Sequence, residues 1–238
     1  PRICGSGNAL AMSLFTMDMT CDVWETPVVG FANGFPDCHI FPMHPPGAVP
    51  WEPGVAMCFA RAEGMDHGPL TVDPRQALLR QVERAAAIGI DVQVGTELEF
   101  YLLEQDTGRP RDKGNDCYGL ARAAELEPVL GPMRRELAEM GIPIEQSNPE
   151  YAAGQVEVNI RYDSAMIAAD RVVIFRSLVK QLATRHGLNA TFMAKPFIDE
   201  SGNGFHLHYS LWSQGKNVFA DAGKLNDRGR HFLGGIQQ

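Results

Sequence analysis

The chain has 238 residues, 45% hydrophobic and 21% charged, the composition of an ordinary globular protein with one large domain or two smaller ones. A net charge of −8 without any run of Lys or Arg argues against general nucleic-acid binding, and no apolar stretch is long enough to span a bilayer. The five cysteines (Cys4, Cys21, Cys38, Cys58, Cys117) are scattered, odd in number and lack a C-x-x-C pair, which disfavours a disulfide framework or structural zinc and suits reduced thiols in the cytoplasm.

In chain order, Ala9–Phe15 is apolar but short, broken by Ser13 and without a basic flank, so it does not read as a secretory signal. The stretch to about residue 70 is rich in Gly and Pro. Val28–Phe35, Cys38–Phe41 and Ala56–Ala62 read as short strands, with Pro45-Pro46 and Pro50–Gly54 as breakers. The texture then changes. Asp73-Pro74 predicts an N-cap with Pro at the first helical position, and Arg75–Ile88 a helix stopped by Gly89. Asp91–Leu103 alternates as a strand, Gly108–Asn115 is a charged loop, and Leu120–Met140 is helical, with Pro128 and Pro132 confining its regular part to the later half. A strand over Ile142–Glu145 leads to a loop with Glu150 and a strand over Gly154–Tyr162. Ala165–His186 is a helix capped by Asp163 or Ser164 and closed by Gly187. Ala190–Lys195 is a strand, Asp199–Gly204 a turn, and Asn203–Trp212 a final strand. A small β-rich unit (1–70) followed by alternating helices and strands (71–238) suits an α+β protein with a curved sheet or partial barrel.

Three strands pair an apolar stripe with a face of chemistry-bearing groups. In the first, Val92, Val94, Leu98, Phe100 and Leu102 lie on one side, and Glu97 and Glu99 on the other. In the second, Val156, Val158, Ile160 and Tyr162 oppose Gln155, Glu157, Asn159 and Arg161. In the third, Phe205, Leu207, Tyr209 and Leu211 oppose His206, His208 and Ser210. These polar faces are short of Lys, and acids without basic partners either face bulk water or bind cations. Glu97-x-Glu99 alone is a weak signal. His206-x-His208 could be a core pair, a zinc pair, or one metal ligand beside a ligand-binding side chain. With no cysteine nearby and Glu97, Glu99, Glu150 and Glu157 available, the donor set is mainly oxygen and suits Mg²⁺ or Mn²⁺, in numbers fitting most of a two-metal site. Gly202-x-Gly204 lacks the P-loop Lys and following helix, so it reads as a tight turn. No G-x-S-x-G elbow is present.

Four segments in order, Gly95-Thr-Glu97-Leu-Glu99-Phe100, Glu150-Tyr-Ala-Ala-Gly154-Gln155-Val-Glu157, Ala190-Thr-Phe-Met-Ala-Lys195-Pro196 and Gly202-Asn-Gly204-Phe-His206-Leu-His208-Tyr-Ser210-Leu211, closely resemble the glutamine synthetase family. The resemblance spans nearly the whole chain, including Pro36-Asp37 and Asp73-Pro74-Arg75. It implies an N-terminal β-grasp domain, a catalytic domain round a curved antiparallel sheet, and a ring of subunits with active sites between neighbours. It assigns Glu99, Glu150 and Glu157 to one divalent cation, and Glu97 and His206 to another. Glu145, His208 and Ser210 match ATP contacts; Ser201 and Gly202 match the turn that holds glutamate. Tyr118 matches the site of ammonia or amine, as does Asp18, acting in a neighbour's site. The implied activity is an ATP-dependent ligase that forms a γ-glutamyl amide through γ-glutamyl phosphate.

Two departures from the family pattern stand out. Ammonia-using members commonly carry His-His before the acid that is here Glu150, where this chain has Asn148-Pro149, and often Asn where it has Ser201. Both point toward larger amines such as polyamines, alkylamines or ethanolamine. The family's later half, with its arginines and last metal carboxylate, lies beyond Gln238, so the resemblance implies a fragment, inactive alone. The alternative is a non-catalytic relative kept as a structural or sensing assembly. A pseudo-enzyme would be expected to lose metal ligands, and all five visible here are present. A metal-dependent amidohydrolase would need more histidines.

Overall fold

A computed structural model describes residues 7–43, 47–111 and 116–238, so Cys4, Pro45-Pro46 and the end of the 108–115 loop lie outside the described residues. The chain divides into two compact units, Pro1–Ala87 and Ile88–Gln238.

In the first unit, β1 (Asn8–Ala11) and β2 (Asp37–Pro42) pair antiparallel, β3 (Gly47–Ala48) and β4 (Ala56–Met57) form a small hairpin, and β5 (Ala60–Gly64) joins β2, giving a sheet ordered β1-β2-β5. Met12, Val29, Cys38, Ala62 and Leu70 form its core. Helix α1 (Pro74–Ala87) begins where Asp73 Oδ1 accepts the Arg75 N–H at 2.8 Å, satisfying one free donor of the first turn. Val28–Phe35 is not a strand. Gly30 at φ 152° and Gly34 at φ 71° bend it around a 3₁₀ turn at Phe31–Asn33, conformations that an alternating pattern does not reveal. The expected strand over Ala56–Ala62 is likewise two, β4 and β5.

The second unit runs β6 (Asp91–Glu104), α2 (Leu120–Glu139), β7 (Ile144–Pro149), β8 (Gln155–Ser164), α3 (Ala165–Arg185), β9 (Leu188–Thr191), β10 (Phe205–Ser213), β11 (Lys216–Asn217), β12 (Ala220–Asp221), β13 (Lys224–Leu225) and α4 (Asp227–Ile236). An antiparallel sheet ordered β11-β10-β6-β8-β7, with β9 on the end of β6, carries the unit. Its apolar face, Leu98, Phe100, Leu102, Val156, Val158 and Ile160, is buried along with Phe175, Leu178, Val179 and Leu182 of α3. Phe100 and Phe175 meet edge to face with centroids 6.4 Å apart. Gly154 at φ 71° starts β8, and a Cβ there would stand 2.7 Å from the Leu102 carbonyl oxygen.

Several expectations shift. Helix α2 runs unbroken through Pro128 and Pro132. Pro128 and Ala124, whose carbonyl the proline leaves without its helical donor, are both exposed, so solvent serves that group while Leu126, Val129, Leu130, Met133 and Leu137 bury the other side. The strand expected at Ile142–Glu145 lies later, at β7, and runs straight into Glu150. Strand β9 ends at Thr191, where four residues suffice to pair with the end of β6. On β10 only Leu211 of the apolar row is buried: Phe205, Leu207 and Tyr209 are 52%, 45% and 39% exposed, because α3 packs over β6, β8 and β9.

The ladder slips twice around Ile160. Val94 faces Asp163 and Thr96 faces Ile160, so β8 carries an extra residue there. Ile144 faces Ile160 and Gln146 faces Asn159, so β7 carries an extra residue at Glu145. The first slip moves Tyr162 off the Val156–Ile160 face where simple alternation placed it. It is 55% exposed, and a Cβ on Gly95 would stand 3.5 Å from its Cβ, on the polar side.

Candidate metal centre

Register brings the polar faces together. Glu97 has His206 of β10 opposite it on one side and Asn159 of β8 on the other, and Glu99 stands opposite Glu157. The ligand atoms of Glu97, Glu157 and His206 all lie within 4.8 Å of one another. His206 Nδ1 is 2.9 Å from Glu97 Oε2, His208 Nε2 is 3.0 Å from Glu97 Oε1, and Asn159 Nδ2 donates to that oxygen at 3.4 Å. His208 therefore touches Glu97 of this trio as well as the cavity described below.

Glu99 and Glu150 border this trio. Burial first, then the charges of Glu97, Glu150 and Glu99, push Glu157 above the usual carboxylate range. The hydrogen bond to Glu97 raises His206 against the opposing effect of burial. Glu150, 5% exposed just past β7, accepts from Asn148 Nδ2 at 3.1 Å and from the Tyr151 N–H at 3.2 Å, with Cys117 Sγ 4.0 Å away. Tyr118, held at φ 59°, hydrogen-bonds Glu150, whose charge is the main reason that its hydroxyl is pushed up to about 12. Among the described ion pairs these four acids meet only His206 and His208, both through Glu97. Crowded carboxylates, three of which help to raise the pKa of Glu157, beside one imidazole are the donor chemistry that a hard divalent cation relieves, so the residues present fit such an ion. A side chain at Gly204 would push into them. A Cβ there would stand 2.7 Å from Glu99 Oε1 and 2.8 Å from His206 Nε2.

A cavity of about 300 Å³ adjoins the cluster, and Glu97, Glu145, Asn159, Tyr162, His208 and Ser210 are among its lining residues. Trp212 Nε1 donates to Ser210 Oγ at 2.9 Å. On the other side of the cluster, the segment from Ser201 to Gly204 is tied to the sheet at every residue. Tyr101 Oη donates to the Ser201 carbonyl at 2.5 Å, Gln155 Nε2 contacts the Gly202 carbonyl at 2.9 Å and Asn203 Oδ1 at 3.1 Å, and the Glu99 N–H donates to the Gly204 carbonyl at 3.1 Å. Asp18 belongs to the first unit. It sits at a hairpin tip where its Oδ1 accepts the Thr20 N–H and hydroxyl, both at 2.8 Å, and these bonds lower its pKa. It lines a cavity of about 450 Å³ with Trp24 and Phe15.

Residue patterns pointed to the acids and His206 but missed the roles of Asn148, Gln155, Asn159 and Gly204. The only available signals were Gln155 and Asn159 sharing a strand face with Glu157, and a glycine two residues before a histidine.

Residues 71–238 match the family model described as the glutamine synthetase catalytic domain. Relatives include a glutamate–isopropylamine ligase of Pseudomonas sp, 32% identical over 222 residues (87% of this chain, 48% of the relative). The γ-glutamylethanolamide synthetase GlnA4 of Streptomyces coelicolor is 36% identical over 199 residues (79% and 43%). A glutamine synthetase of Rhizobium meliloti is 36% identical over 228 residues (88% and 52%). A solved structure of apo GmaS without ligand superposes with a TM-score of 0.84 at 31% identity, covering 99% of this chain and 55% of that one. A crystal structure of a novel glutamine synthase homologue gives 0.83 at 26%, covering 99% and 56%. The mixed fold with its curled antiparallel half-barrel sheet is the one these structures share. The chain spans about half the length of the curated relatives it matches. With the family model covering residues 71–238 and relatives this similar, the chain belongs to the glutamine synthetase family.

Proposed function

We propose that this chain is part of an ATP-dependent ligase that joins the γ-carboxylate of glutamate to ammonia or a small organic amine through γ-glutamyl phosphate. The observation that carries this reading is the Glu97–Glu157–His206 cluster standing between a cavity and a clamped turn. Glu99, Glu150 and Glu157 hold one Mg²⁺ or Mn²⁺, and Glu97 and His206 hold a second. When bound, these ions supply the positive charge that offsets repulsion between the nucleotide phosphates and the attacking carboxylate. Glu145, His208 and Ser210 line the space for ATP, and Ser201 and Gly202 belong to the turn that holds glutamate. Tyr118 keeps its proton at neutral pH and acts as a hydrogen-bond donor beside the amine. Asp18, its pKa lowered by the hydrogen bonds it accepts from Thr20, stays ionised and accepts the amine's proton in a neighbouring subunit of a ring. In the same reading the first unit is a β-grasp domain covering residues 1–70, with 71–238 the start of the catalytic domain, and the enzyme works in the cytoplasm with reduced thiols.

An organic amine is the preferred acceptor in this reading. Asn148 and Pro149 stand where ammonia-using members carry two histidines, and Asn148 now bonds Glu150 directly. The isopropylamine and ethanolamide relatives support this, while glutamine synthetases of similar identity make the acceptor a matter for measurement. The test is kcat/KM of the full-length protein for ammonium, ethylamine, isopropylamine, ethanolamine and putrescine at fixed glutamate and ATP. A higher value for an organic amine is expected. Ammonium winning by a wide margin would make this a glutamine synthetase, and no glutamate-dependent ADP release with any acceptor would end the ligase reading.

A further inference from the structure

Gln155 is 1% exposed, among the most deeply buried polar side chains described. A glutamine amide has two N–H donors, and Gln155 Nε2 stands within hydrogen-bonding distance of three acceptors: Glu99 Oε2 at 3.1 Å, the Gly202 carbonyl at 2.9 Å and Asn203 Oδ1 at 3.1 Å. Its Oε1 accepts the Ala152 N–H at 3.2 Å, which fixes the orientation of the amide. One buried side chain thus joins an acid of the metal cluster to the two central residues of the turn.

Its cross-strand partner completes the clamp. Tyr101 lies directly opposite Gln155 and ties down Ser201, while the Glu99 backbone ties down Gly204. The backbone turn and the Glu99 carboxylate therefore cannot move independently. Three acceptors for two donors also leave a competition. When the Glu99 carboxylate turns toward a cation, the Gln155 N–H that it shared is released to Gly202 and Asn203.

We infer that Gln155 is a positioning residue that makes cation binding at Glu99 tighten the Ser201–Gly204 turn, so that divalent cation and glutamate bind with positive coupling. The glutamate half of this inference rests on the function proposed above; the mechanical half does not. Coupling is reciprocal, so glutamate must raise cation affinity by the same factor as the cation raises glutamate affinity.

The test uses the full-length protein, with hydrogen exchange followed on the peptide containing 201–204 and L-glutamate affinity measured by calorimetry, each with and without Mn²⁺. In the wild type, Mn²⁺ should slow exchange in the turn and tighten glutamate binding by at least about 5-fold, the low end of ordinary coupling. Gln155→Glu keeps the acceptor for Ala152 and the side-chain shape but removes the donors; Gln155→Leu removes the polar group. Both should still bind Mn²⁺ and keep wild-type exchange in α3, yet show no Mn²⁺ effect on the turn. If Gln155→Leu fails to fold, Gln155→Glu alone decides. Turn protection that still responds to Mn²⁺ in the variant would overturn the inference, as would a wild-type turn indifferent to Mn²⁺. If the wild-type turn responds but L-glutamate does not bind, the mechanical coupling stands and the assignment of the turn to glutamate falls.

Discussion

His206 and Glu97 are direct cross-strand partners, and the imidazole Nδ1 rests 2.9 Å from the carboxylate Oε2. A histidine ring held this way has its orientation set by an acid that belongs to the same cluster, so neither group can be changed without disturbing the other.

Glu97→Gln should therefore weaken Mn²⁺ binding at least about tenfold, within the range expected when a metal site loses an orienting or ligating contact. Without cation its melting temperature should match or exceed that of the wild type, since one of several crowded charges has gone. Isothermal calorimetry and a thermal melt check both halves; unchanged Mn²⁺ affinity would remove Glu97 from the site.

The pH dependence has a definite sign. Folding raises Glu157 above its usual 4.5, chiefly through burial, so its protonated form favours the folded state. That contribution is complete below 4.5 and is lost as pH rises through the raised value. Without cation, Glu157→Gln should melt like the wild type below 4.5 and become the more stable of the two as pH rises through that window. Excess Mg²⁺ should favour the wild type again. Calorimetry in EDTA and in Mg²⁺ across pH is the measurement, and a gap that closes as pH rises would contradict the assignment.

Gly204→Ala tests the cluster without touching a ligand. The added methyl would collide with Glu99 Oε1 and His206 Nε2, so Mn²⁺ affinity should fall by about tenfold, the scale of effects outside the ligand shell, while urea unfolding stays close to wild type. Equal losses of stability and affinity would mean that the glycine serves the fold rather than the site.

Pro128→Ala addresses α2. The proline is exposed within an unbroken helix, and restoring an N–H there should stabilise the protein by about 1–3 kcal/mol, up to the full helix-interior penalty of proline. Urea denaturation would show it, and a loss of stability would mean that the ring packs in a way its exposure does not suggest.

Much of this site could be read from residue patterns, and the rest fails for identifiable reasons. Glu97, Glu99, Glu157 and His206 announced themselves because a period of two exposes which side chains share a face. Glu150 has no such pattern, since it follows a strand whose beginning Ile142 and Pro143 misplaced. Pairing partners are tertiary facts: nothing local says that His206 stands beside Glu97 or that Gln155 reaches Gly202. In the first unit, Val28 to Phe35 has the apolar content of a short strand, but Gly30 and Gly34 used their backbone freedom to turn instead. The buried row expected on β10 depended on what covers it, which the row itself cannot encode.

The two slips beside Ile160 make the character of the adjoining cavity a matter of counting. Removing Tyr162 would restore strict alternation between Ile160 and Asp163, leave Arg161 alone opposite Gly95 and take an aromatic ring out of the cavity lining beside His208. Removing Glu145 would likewise straighten β7 and withdraw a carboxylate from the rim. Either deletion leaves Glu97, Glu99, Glu150 and Glu157 in the sequence, so descendants of this chain could exchange what the cavity accepts by gaining or losing one residue while the charge cluster below it is inherited intact.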